Sequence, residues 1–220
     1  MLIVKSKNLI RKLVPKPFQV FVRMFFEIKV FLNFFNTNIR DIDLLKKIIL
    51  VFRIFIISCN IESPHTNKEI FNFINIILKM PKNKSGYFVE AGCFKGSSSA
   101  KFSIAANLVG KKLIIFDSFQ GIPSNKEPHT KNIFGGEAYF AEGDYCGSLQ
   151  EVKNNVETYG EIDSVEFVKG WFEDSLPRFK EPVLAAYLDV DLVSSTKTCL
   201  QNLYPLIIKG GYILSQDGHL

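Results

Sequence analysis

The 220-residue sequence contains no CxxC pair, no GxGxxG turn, and no run of about 20 apolar residues free of central charge. Each absence removes a class of protein. The four cysteines, Cys59, Cys93, Cys146 and Cys199, follow no regular spacing. They build neither a disulfide framework nor a zinc site, and are expected to be reduced and mostly buried in a cytoplasmic chain. Without GxGxxG, a dinucleotide-dependent dehydrogenase is disfavoured. The stretch Phe18–Phe35 is strongly apolar, but Arg23, Glu27 and Lys29 interrupt it. The stretch Ile48–Ile57 contains Arg53 and follows Lys46 and Lys47. Neither suits a bilayer span. No small-residue cleavage site follows an early apolar run, as a signal peptide requires. There is no internal repeat.

What is present is a core-forming composition, 47% apolar and 22% charged. The net charge of +5 is unevenly placed. Residues 1–60 hold 11 Lys/Arg against 3 Asp/Glu, together with 9 of the 21 phenylalanines. The other 160 residues hold 16 against 19. Residues 1–62 therefore read as a basic, Phe-rich helical extension. Three uses are open to it: packing on the rest of the chain, a homo-oligomer contact, or a peripheral position on the inner, anionic face of a membrane. Residues 63–220 read as the enzyme domain. They are slightly acidic and lack a basic stripe, so no nucleic-acid partner is expected.

From Ser63 the pattern becomes regular. Cap residues precede a helix over Asn67–Met80. Strands are expected at Tyr87–Ala91, Leu113–Phe116, Val165–Val168, Val183–Leu188 and Tyr212–Leu214. Helices are expected at Ser97–Leu108, Leu149–Tyr159 and Ser195–Leu206. A long loop, Gln120–Gly147, has the length and glycine content of an active-site lid. Strands alternating with helices imply an α/β fold with a parallel sheet.

The first strand runs into Gly92-Cys93-Phe94-Lys95-Gly96, a GxxxG turn that lets the backbone approach a ligand. Alone it is a weak signal. The second strand ends in Asp117-Ser118, 21 residues after Gly96, where an acid can accept ribose hydroxyls. The fourth strand leads to Asp189-Val190-Asp191, and the last to Gln216-Asp217-Gly218-His219. Their oxygens suit a hard divalent cation such as Mg²⁺. Asp191 and Ser194 could instead cap the helix that follows. Of the three histidines, His65 sits among cap residues and is expected to be solvated, and His129 reads as a surface residue of the long loop. His219, beside the acidic cluster, is a candidate base.

The runs FVEAGCFKGSSS, IIFDSFQGIP, EGDYCGSLQEVKNNVETYG, FVKGWFEDSLP, LDVDLVSSTKTCLQNLYP and GGYILSQDG, in this order and spacing, resemble the macrocin O-methyltransferase family of class I methyltransferases. The resemblance covers residues 63–220. It implies a Rossmann-like methyltransferase sheet, S-adenosylmethionine as cofactor, Mg²⁺ as its usual companion, and a hydroxyl on a sugar or natural-product-like small molecule as acceptor. Glu90, Gly92, Phe94, Gly96 and Ser98 would line the methionine and ribose part of the cofactor. Asp117 would bind the ribose hydroxyls with Ser118 beside it, and Gly170, Trp171 and Phe172 would lie near the adenine. Asp189 and Asp217 would hold the metal, with Gln216 standing where the family commonly has another acid. Asp189 and His219 are the candidate catalytic groups. Val193 replaces an aromatic residue usual in the family. The sequence ends at Leu220, before the helix and antiparallel strand pair that close such sheets, so the expected domain lacks them. An inactive or truncated membrane-associated S-adenosylmethionine-binding module is the alternative reading.

Overall fold

A computed structural model of the chain describes residues 14–127 and 140–217. Three helices open the described chain: α1 (Lys16–Phe26), α2 (Ile28–Asn36) and α3 (Leu44–Asn60). Pro17 suits the first turn of α1, where its missing N–H costs nothing. Asp43 caps α3 by accepting the Lys46 N–H at 2.8 Å. Helix α4 (Asn67–Lys79) starts with a capping box: Thr66 Oγ1 accepts the Glu69 N–H, and Glu69 Oε2 accepts the Thr66 N–H. Its apolar stripe of Ile70, Phe71, Ile74, Ile77 and Leu78 is buried.

The remainder alternates as the sequence implies, with one short helix, α7, that it did not announce: β1 (Tyr87–Ala91), α5 (Ser97–Leu108), β2 (Leu113–Asp117), α6 (Leu149–Tyr159), β3 (Val165–Lys169), α7 (Phe172–Ser175), β4 (Val183–Leu188), α8 (Val193–Leu203) and β5 (Ile207–Ser215). All five strands are parallel, in the order β3-β2-β1-β4-β5. The central strands β1 and β4 are buried on both faces, which is why they read as continuous apolar runs. Side chains alternate between two packed layers. Phe88, Leu113, Ile115 and Tyr187 face α4 and α5; Val89, Ala91, Ile114, Phe116 and Leu188 face Cys199 and Leu203 of α8. Two elements differ from expectation by more than one residue at an end. The helix expected at Ser195–Leu206 begins at Val193 and ends at Leu203, and a 3-10 turn containing Pro205 follows. Strand β5 begins at Ile207, five residues earlier than expected. Gly210 at φ 83° sits inside a register shift opposite Val183/Ala185, so the glycine pair bulges the strand instead of starting it.

The N-terminal helices are not loosely attached. Phe31, Phe34, Leu50, Ile54 and Ile57 belong to the same buried cluster as Phe71, Phe73, Phe102 and Tyr187. Phe34 and Phe71 meet at a tilt and Phe73 and Phe102 edge to face, each pair 4.8 Å between ring centroids. Arg53 of α3 pairs with Glu161 and donates to the Tyr159 and Gly160 carbonyls at 3.1 and 2.9 Å, capping the C-terminus of α6. The opposite face of α1–α3 stays open: Phe18, Phe21, Phe25, Phe26, Leu45 and Phe52 are each 58–81% exposed. No helix among the described residues is long and apolar enough to cross a membrane. Of the cysteines, Cys93 and Cys199 are buried, Cys59 is half-buried and Cys146 is exposed; all are free.

Candidate active site

The strand order reverses between β1 and β4, and there a cleft of about 310 Å³ opens at the carboxyl ends of the strands. Its floor is the turn after β1. Gly92 adopts φ 81°, and a Cβ there would stand 1.9 Å from the Asp189 carbonyl, so only glycine fits this approach of β1 to β4. The Gly92 N–H donates to the Phe116 carbonyl at 2.9 Å, and the Asp189 N–H to that of Ala91 at 3.0 Å, which aligns the three strand ends.

On one side stands Asp117. Its Oδ2 accepts the Cys93 N–H at 2.8 Å and its Oδ1 the Phe119 N–H at 2.6 Å. Burial pushes the carboxyl above the usual carboxylate range, while these backbone donors pull it back. Each oxygen keeps a further lone pair for a hydroxyl. Ser118 holds the adjoining loop by donating to the Gly121 carbonyl and accepting the Gln120 N–H. The Gly170 N–H donates to the Asp117 carbonyl at 3.0 Å, which brings Gly170, Trp171 and Phe172 onto the same wall. Phe94, Phe140 and Tyr145 form an aromatic rim; Tyr145 lies 5.7 Å from Phe94 and 6.3 Å from Phe140 between centroids.

The other side is acidic. Asp189, Asp191, Gln216 and Asp217 all line the cleft. Asp217 Oδ2 accepts the Val190 and Asp191 N–H groups at 3.0 and 3.1 Å. Gln216 Oε1 accepts the Tyr187 hydroxyl at 3.3 Å. Burial, reinforced by the nearby Asp189 and Asp217 carboxylates, pushes Asp191 up to about 7. Asp191 does not cap α8. That helix's first N–H groups, of Val193 and Ser194, instead donate to Glu127 at 2.8 and 3.0 Å. Phe94, Tyr145 and Asp191 also carry positive φ, so three of the five such non-glycine residues among the described residues line this cleft.

His65 corrects the sequence reading. It is 7% exposed, not solvated, and its Nε2 lies 2.7 Å from Asp189 Oδ2. Its Nδ1 lies 3.2 Å from Ser63 Oγ. With Nε2–H donating to the carboxylate, Nδ1 accepts the Ser63 hydroxyl. Arg23 of α1 donates to the His65 carbonyl at 3.1 Å, and Glu27 accepts from Asn67 at the start of α4. The N-terminal helices thereby fix the segment that carries His65. The contact spans 124 residues, so no local spacing announces it. Tyr145 and Pro64 are likewise cleft residues that local pattern did not single out.

Of the sequence candidates, Gly92, Phe94, Asp117, Ser118, Gly170, Trp171, Phe172, Asp189, Gln216 and Asp217 come together in the cleft. Glu90, Gly96 and Ser98 do not line it. Glu90 is fully buried behind the turn, accepts the Ser99 hydroxyl at 2.5 Å, and is pushed up to about 7, chiefly by burial. Gly96 faces Val152 of α6. His129 and His219 lie outside the described residues.

Among known proteins, the 4'-O-methyltransferase of 8-demethyl-8-(2,3-dimethoxy-alpha-L-rhamnosyl)-tetracenomycin-C from Streptomyces olivaceus is 34% identical over 138 residues, 60% of this chain and 52% of that protein. Demethyldecarbamoylnovobiocin O-methyltransferase from Streptomyces niveus is 33% identical over 144 residues, 61% and 53% of the two chains. The chain spans about half the length of the curated relatives it matches. The solved structure of the O-methyltransferase NovP superposes with a TM-score of 0.58 at 27% identity, covering 71% of this chain and 67% of that one. Residues 68–220, which include β1 to β5 and all of the cleft except Pro64 and His65, match the macrocin-O-methyltransferase (TylF) family. The chain belongs to that family.

Proposed function

We propose that the chain is an S-adenosylmethionine-dependent O-methyltransferase acting on a hydroxyl of a small sugar-bearing or natural-product-like acceptor. The observation that carries this reading is one cleft with a nucleoside-type acid, Asp117, at one end and the His65–Asp189 pair at the other. The relatives' names support a sugar-linked acceptor, since one acts on a rhamnosyl tetracenomycin.

In this reading the Asp117 oxygens take the ribose hydroxyls, and the faces of Trp171 and Phe172 pack on the adenine. The cofactor supplies an activated methyl group on a sulfonium that leaves as a neutral thioether. Asp189 accepts the proton of the acceptor hydroxyl as the oxygen–carbon bond forms and the sulfur–carbon bond breaks. His65, held by Ser63 and Arg23, fixes the carboxylate in line. The aromatic rim of Phe94, Phe140 and Tyr145 covers the acceptor and limits water.

The acidic end also fits a hard divalent cation in its donor chemistry. Asp189, Gln216 and Asp217 offer oxygens only, and a cation would offset the burial and the carboxylate repulsion that together raise Asp191. No three His, Cys, Asp or Glu side chains among the described residues already converge as a metal cluster, so side-chain rotation belongs to this part of the proposal. A bound Mg²⁺ would lower the pKa of the acceptor hydroxyl.

The test is transfer of labelled methyl to a panel of rhamnosides and phenols, with and without chelator. Asp189→Asn is expected to lower kcat by about a hundredfold or more, and His65→Ala by a smaller factor. Full activity in both variants would remove the proposed roles. A loss on chelation that Mg²⁺ restores supports the metal; indifference to chelator removes it.

A second reading concerns α1–α3. Their open phenylalanine face, on a segment with 11 Lys/Arg against 3 Asp/Glu in residues 1–60, suits an anionic membrane surface. Co-sedimentation with phosphatidylglycerol vesicles tests it. A stable dimer in buffer that ignores vesicles would assign the face to self-association instead.

A further inference from the structure

A second cavity, of about 630 Å³, opens between α1, α3, α4 and α5. Among the described residues, three cations line it: Lys16, Arg23 and Lys101. Lys101 lies on the first turns of α5 and is only 3% exposed. No described residue offers it a hydrogen bond or an ion pair; its charged neighbours are Arg23 and Lys16. Arg23 spends one N–H on the His65 carbonyl and has others to offer. The nearby acids, of which Glu62 also lines the cavity, are already paired. Glu62 is held by Lys95 at 2.7 Å, and Glu27 accepts both the backbone and side-chain N–H groups of Asn67. Ser58, Ser63 and Asn67 add neutral polar groups to the wall.

A buried ammonium without a counterion is costly. Here burial, aggravated by Arg23 and Lys16, pulls Lys101 down to about 7. An anion in the cavity would remove that cost and meet three donors at once.

We propose that this cavity is a phosphate-binding site, in which Lys101, Arg23 and Lys16 hold the phosphate of a phosphorylated small molecule or of a lipid headgroup. His65 lines both this cavity and the cleft, so the bound phosphate lies next to the segment that orients Asp189. Phe18 lines the cavity and is 58% exposed, so the site adjoins the open apolar face. The site stands apart from methyl transfer: it needs neither cofactor nor acceptor chemistry to bind its anion.

The experiment titrates the full chain with inorganic phosphate and pyrophosphate by calorimetry. In parallel, the chain is sedimented with phosphatidylcholine vesicles with and without phosphatidic acid. Either the free anions or the phosphatidic-acid vesicles are expected to bind, and the arm that does so identifies the source. Lys101→Met and Lys16→Ser are each expected to weaken that binding by about tenfold, the scale of one charge-assisted contact. Lys16 is exposed, so its variant decides the matter if Lys101→Met fails to fold. Lys29→Ser removes an exposed charge outside the cavity and is expected to change nothing in the calorimetry and little in the vesicle arm. Absence of binding in both arms, or equal binding by wild type and both cavity variants, would overturn the proposal. So would an equal loss in Lys29→Ser.

Discussion

Single residues in this chain hold loops and face the cleft at once. Asp117 fixes two turns through the Cys93 and Phe119 N–H groups while keeping lone pairs turned to the cleft. Glu90 has the opposite character: no exposure, one hydroxyl partner on Oε2, and none on Oε1 among the described residues. Its carboxyl rises from 4.5 to about 7, so the folded state holds a proton that the unfolded chain releases. That contribution is complete below about pH 4.5 and is lost as pH rises through 7, a change of about 3 kcal/mol at most. Glu90→Gln should therefore flatten the fall in stability between these limits in urea unfolding; an unchanged pH profile would contradict this. Asp117 and Asp189 were legible in the sequence because each follows a compact apolar strand. His65 was not, because its partner is 124 residues away and only the folded sheet brings the two together.

Elements show the same division. Helices α4 and α6 follow apolar periodicity, and strands β1, β2 and β4 are compact apolar runs, so both kinds are read directly. The start of β5 was missed because Gly210-Gly211 resembles a turn until its pairing to β4 shows a bulge. The cap of α8 was not among the alternatives the sequence offered, because its first N–H groups go to Glu127, which local sequence cannot place there. The C-terminus of α6 depends on Arg53, which satisfies two carbonyls and pairs with Glu161. Both partners are about one-third exposed, so solvent screens much of the ion pair, and the carbonyl bonds carry more of the effect. Arg53→Ala is expected to cost about 1–2 kcal/mol in urea unfolding with an unchanged m-value. A change below a few tenths would show that α3 does not brace α6.

For the whole molecule, the sequence separates a basic extension from an acidic domain, yet one hydrophobic core runs through both. Charge marks composition, whereas the core follows Phe31, Phe34, Ile54 and Ile57 packing on Phe71 and Phe102. Each such side chain contributes about 1.5–3 kcal/mol by burial, against a total stability of about 5–15 kcal/mol. A chain beginning at residue 63 is therefore expected to aggregate or lose cooperative melting; a sharp thermal transition in that fragment would contradict the shared core. We propose that the cleft at the β1–β4 switch point binds S-adenosylmethionine through Asp117. Calorimetric titration of the folded full chain with S-adenosylmethionine tests it most directly. One-to-one binding is expected, weakened by about ten- to a hundredfold in Asp117→Ala. Absence of binding at millimolar cofactor, or equal affinity in the variant, would contradict it.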